Sequence, residues 1–104
     1  MEIIRGTTPS IVVELEDGVN FSDLGVVKLR MKQGWTYVDK EPISVSGNTA
    51  VFNYTEEETL KFYEGNAYIQ LVGIKETNEE IVNKTDVYPI TILKSLWNES
   101  VNNG

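Results

Sequence analysis

An antiparallel β-sandwich, immunoglobulin-like in general plan, is the fold this sequence predicts. Three observations lead there. Turn residues recur at short intervals: Gly6, Pro9, Gly18, Gly25, Gly34, Gly47, Gly65, Gly73 and Asn78. The segments between them are rich in Val, Ile, Tyr and Thr, which suit a pleated, half-buried surface. Several of those segments alternate apolar and polar residues, so that one face is apolar. About seven or eight strands and one short helix near residues 55–62 are expected. The 104 residues fit one domain, placed at 1–95, with 96–104 a polar tail or short helix.

The elements follow in chain order. Ser10 to Glu16 puts Ile11, Val13 and Leu15 on one face and Glu14 and Glu16 on the other. Val26 to Gln33 is the clearest strand, with Val27, Leu29 and Met31 alternating against Lys28, Arg30 and Lys32. Gly34 then breaks it, either as a hairpin into Trp35–Val38 or as a bulge. Gly47-Asn48 between two extended runs predicts a two-residue hairpin.

Thr55-Glu56-Glu57-Glu58 predicts a helix start. The Thr55 hydroxyl can accept from the Glu58 amide while the Glu58 carboxylate accepts from the Thr55 amide. Asn66 to Lys75 carries apolar residues on both faces and reads as a central strand. Glu80 to Lys84 pairs back, and Val87 to Leu93 closes the fold. Pro89 has no amide proton, so an edge or a bulge is expected there. The expected core is Ile11, Val13, Leu15, Val27, Leu29, Met31, Val51, Leu60, Ile69, Leu71, Ile90 and Ile92.

Composition excludes several function classes. There is no His and no Cys, so Ser-His and Cys-His nucleophiles, thiolate metal sites and disulfides cannot be built. The glycines form no phosphate-binding fingerprint. A two-carboxylate glycosidase needs a cleft holding its acids about 5–9 Å apart, and so small a domain has little room for one. No enzymatic activity, cofactor or metal is expected. The net charge of −7 disfavours nucleic acid and anionic membrane as partners. No apolar run is long enough to span a bilayer, and the start lacks the pattern of a signal peptide. Residence in the cytosol, or assembly there, is expected.

Other features have plain readings. Glu56-Glu57-Glu58 lacks the spacing of a calcium loop and reads as a charged helix start. The stripe Lys28, Arg30, Lys32 reads as a solvated face paired across strands with residues such as Glu14 and Glu16. The triplets at Asn20, Asn53, Asn83 and Asn98 match a glycosylation pattern by chance. Large amphipathic rings anchor interfaces, and the candidate interface residues are Trp97, Pro89, Tyr88, Trp35 and Tyr37.

Three runs occur together: Arg5-Gly6-Thr7-Thr8-Pro9-Ser10, Thr55-Glu56-Glu57-Glu58-Thr59-Leu60 before Phe62-Tyr63-Glu64-Gly65, and Ala67-Tyr68-Ile69-Gln70-Leu71. In this combination, over about residues 3 to 93, the sequence resembles short prophage-encoded tail and baseplate-region proteins of Gram-positive bacteria. It is also similar to the N-terminal domain of lactococcal phage baseplate upper proteins. The resemblance implies a compact β-sandwich in virion or tail structure. Its implied partners are other phage structural proteins or copies of itself, and its implied places are the host cytoplasm during assembly and the tail. Baseplate upper proteins continue into long fibre regions while this sequence ends at Gly104, so a connector or accessory part is the expected role. Two other classes remain open from the residues alone. One is a carbohydrate-binding module using Trp35 and Tyr37. The other is a small acidic regulator or inhibitor, its negative charge concentrated between Glu56 and Glu80.

Overall fold

The computed structural model describes residues 1–74, 81–85 and 87–96. Among these residues nine strands and one short α-helix follow one another, with a 3-10 turn at Phe21–Asp23 between the second and third strands: β1 (Glu2–Ile4), β2 (Ser10–Glu14), β3 (Val26–Gln33), β4 (Thr36–Lys40), β5 (Ser44–Ser46), β6 (Thr49–Asn53), α1 (Glu56–Thr59), β7 (Gly65–Ile74), β8 (Ile81–Lys84) and β9 (Tyr88–Leu93). They form two sheets. The larger runs β1-β9-β7-β3-β4, with β8 also paired to β7, and the smaller runs β2-β6-β5. In an immunoglobulin-like plan β2, β6 and β5 take the places of strands B, E and D, and β9, β7 and β3 those of G, F and C. All pairings are antiparallel except β1 with β9.

Alternation decides which side chains meet between the sheets. Val27, Leu29 and Met31 of β3 face inward with Ala67, Ile69 and Leu71 of β7 and Ile90 and Ile92 of β9. Ala50 and Phe52 of β6 face them from the smaller sheet, joined by Ile11. Ile11, Val13, Leu29, Ile69 and Leu71 all line one space between the layers. Apolar packing thus stands where antibody domains carry their inter-sheet disulfide.

Two expected core positions are corrected. Val51 lies on the outer face of β6, because it is Ala50 and Phe52 that point inward. Leu60 is only partly buried, and Phe62 fills the core beyond the helix instead. Ile3, Phe21, Val38 and Tyr54 join the core as well. Val13 and Leu15 pack against it partly buried.

The turns obey local chemistry. Gly34 (φ 58°) and Gly47 (φ 59°) occupy the left-handed region at the tips of the β3–β4 and β5–β6 hairpins, where a side chain is disfavoured. The break after Gln33 is therefore a hairpin. Pro89 sits inside a strand flanked on both sides, yet no donor is missed there. Thr91 donates to the Met1 carbonyl and Leu93 accepts from the Arg5 amide, so the same side of Pro89 faces the stretch that β1 does not reach.

The helix start forms as expected. The Glu58 amide donates to the Thr55 hydroxyl at 3.1 Å, and the Thr55 amide donates to Glu58 Oε1 at 2.8 Å. Lys40 Nζ donates to the other Glu58 oxygen at 3.0 Å. Partial burial pushes the Glu58 carboxyl upward, but the Thr55 amide and the Lys40 ammonium outweigh it and hold the group below its ordinary value. A depressed carboxyl contributes stability above its unfolded pKa, near 4.3 for Glu. That contribution is lost as pH falls through the lower folded value. Glu58→Gln is expected to cost about 0.5–1 kcal/mol at neutral pH. Its melting temperature should fall less steeply on acidification than that of the wild type, as followed by circular dichroism.

Thr59 ties two distant segments together. It is buried; its hydroxyl accepts from the Gly6 amide at 3.0 Å and donates to the Thr7 carbonyl at 2.9 Å. Arg5 reaches the same turn, donating through Nη2 to the Leu60 carbonyl at 2.8 Å and through Nε to the Phe62 carbonyl. The Arg5–Pro9 run and the Thr55–Leu60 run are therefore two halves of one hydrogen-bonded junction.

Candidate interaction face

The outer face of the larger sheet gathers most of the expected interface residues. Tyr37 of β4 lies opposite Lys32 of β3, Lys32 opposite Tyr68 of β7, and Tyr68 opposite Pro89 of β9. With neighbouring strands about 4.8 Å apart, this row spans roughly 14 Å. Trp35 stands at the tip of the β3–β4 hairpin, 96% exposed, with Lys32 Nζ 6.0 Å from its ring centre. Tyr37 and Tyr68 are 51% and 48% exposed.

One turn of the pleat away, Arg30 fixes the row. Its Nε and Nη2 donate to the two Asp39 oxygens at 2.7 and 2.8 Å. Its guanidinium lies 3.8 Å from the centre of the Tyr37 ring. The paired bonds to Asp39 raise the Arg30 pKa further. A planar fork held against a ring loses little freedom when a partner docks. Within the stripe Lys28, Arg30, Lys32, it is Arg30 that pairs inside its own sheet, with Asp39. Glu14 and Glu16, the partners expected from sequence, belong to the other layer. Lys28 and Lys84 flank Val72 in register and extend the positive charge along the face.

Not every expected residue joins this face. Tyr88 lies on the opposite side of β9, opposite Ile69. It lines an inter-sheet groove of about 230 Å³ with Met1, Val12, Leu15 and Thr85. The smaller sheet does not extend over it, which leaves Tyr88 half exposed. Trp97 lies outside the described residues. Tyr68, another of the large rings in the sequence, joins the face from β7, where its alternation with Ala67 and Ile69 places it outside. Tyr54 is the ring that turns inward. Its hydroxyl donates to the Leu29 carbonyl at 2.9 Å, and burial pushes its pKa well above the usual value.

The face can stack on rings and attract charge. Among the described residues no three His, Cys, Asp or Glu side chains gather as a metal site, and no helix is long and apolar enough to cross a membrane. The chain matches no protein-family model, and no curated protein is significantly similar to it.

Proposed function

We propose that this chain is a structural or assembly protein of a phage tail or baseplate, acting as a protein-binding module through the outer face of its larger sheet. The observation that carries the binding part is the row Tyr37–Lys32–Tyr68–Pro89 with Trp35 beside it. Such a face carries what interfaces are enriched in, large aromatic rings together with an Arg. The resemblance of the Arg5–Ser10, Thr55–Leu60 and Ala67–Leu71 runs supports the phage part. Antibodies against the chain are expected to label purified tails. The variant Trp35→Ala/Tyr37→Ala/Tyr68→Ala should keep its melting temperature within a few degrees and enter particles at least about tenfold less well. Unlabelled tails would overturn the reading.

The exposure of Trp35 and Tyr37 favours a second reading, a carbohydrate-binding module, since both rings are open to a stacking sugar. The Arg30 guanidinium already covers one face of Tyr37, which leaves Trp35 as the main platform. Binding on a glycan array that Trp35→Ala abolishes would favour the sugar; a blank array removes it.

A further inference from the structure

Among the described residues the outer faces of the two layers differ in charge. The segments 6–27 and 41–60, which build the smaller sheet, its connections and the helix, contain Glu14, Glu16, Asp17, Asp23, Glu41, Glu56, Glu57 and Glu58 and no Lys or Arg. On the outer face of the larger sheet stand Lys28, Arg30, Lys32 and Lys84, opposed among the described residues by Asp39 and Glu2. The smaller sheet also has an apolar centre on its outside. Val12, 60% exposed, lies opposite Val51 in register, with Glu14 on the same strand and Glu16 and Asp17 just beyond it. One face therefore mixes aromatic rings with cations, and the other is aliphatic with an acidic margin.

We infer that the occupant of the aromatic face is the smaller sheet of a second copy of this chain, so that molecules stack head to tail. Charge complementarity selects this occupant. Two like faces would set cations against cations or carboxylates against carboxylates, whereas unlike faces set cations against carboxylates. A contact between unlike faces is heterologous, and it repeats until it closes into a ring or extends as a filament. The inference rests on the reading of the aromatic face as protein-binding.

The test is the mass of the purified chain in solution, measured by sedimentation. At about 100 µM and low salt the weight-average mass should be at least twice that of the monomer. In about 0.5 M salt, where screening acts over a few ångströms, it should return to the monomer. Lys28→Glu/Lys32→Glu reverses one face and Glu14→Lys/Glu16→Lys the other. Each pair alone should give monomers. The four substitutions together, which keep the net charge at −7, should restore assembly. Trp35→Ser, at an exposed hairpin tip where folding is not at stake, should weaken association about tenfold. A wild-type chain that stays monomeric at low salt overturns the inference. So does loss from one face only, or failure of the four-fold variant to reassemble while it remains folded. Labelling of tails reports on the functional reading and the mass of the pure chain on self-association, so each can fail without the other.

Discussion

Replacing Phe52 by alanine is expected to lower the unfolding free energy by about 3–5 kcal/mol. Phe52 is wholly buried on β6, the middle strand of the smaller sheet. Its ring occupies the space between the layers, and a sandwich of two sheets cannot close over the volume it would leave. A domain of this class has about 5–15 kcal/mol in all, so the variant should melt some 15–30 °C lower. Val51→Ala, one residue away on the outer face, should cost less than about 1 kcal/mol. Chemical unfolding of the two variants separates the faces of one strand. A larger loss from Val51→Ala than from Phe52→Ala would mean that β6 turns its other face to the core.

The second large effect belongs to Thr59. Thr59→Val keeps the shape of the side chain and removes its hydroxyl. The Gly6 amide then loses its acceptor and the Thr7 carbonyl its donor. A stranded polar group costs about 1–3 kcal/mol when fully buried; at this partly buried junction, where water reaches the exposed Thr7, a loss of about 1–3 kcal/mol in all is expected. Thr59→Ser keeps the hydroxyl and should cost less than about 1.5 kcal/mol. Urea unfolding measures both. A valine variant as stable as the serine variant would show that the junction is held by packing alone.

Much of this fold is legible in residue order. The alternation along β3 is unambiguous because its outer positions are Lys, Arg and Lys, which leaves one possible inner face. The Thr55–Glu58 cap is legible because its partners lie three residues apart. Around Val51 the pattern fails, since Ala50, Val51 and Phe52 are three successive apolar positions. Periodicity cannot choose a face there; the register Val12 to Val51 and Ile11 to Phe52 does. Thr59 is illegible for another reason. A threonine at the end of a charged turn has no local sign of burial, and beside the Glu56 carbonyl its partners, Gly6 and Thr7, lie more than fifty positions away. The aromatic row is half legible. Trp35, Tyr37 and Pro89 stand out as residues, but only the strand order β4-β3-β7-β9 puts them in line and adds Tyr68. The expected ion pairs of Glu14 and Glu16 with the cationic stripe fail on the same ground, because alternation tells which side a residue faces and not which sheet it belongs to.

The parallel pairing of β1 with β9 has a mechanical consequence. β1 is entered at Glu2 and β9 is left at Leu93, so the two strands meet the rest of the chain at opposite ends of their shared ladder. Tension applied across these ends drags one strand lengthwise past the other. The Thr91–Met1 and Arg5–Leu93 bonds are then loaded together in shear, and none can be peeled away before the next. A module joined through these strands resists pulling better than one whose terminal strands unzip from a common end.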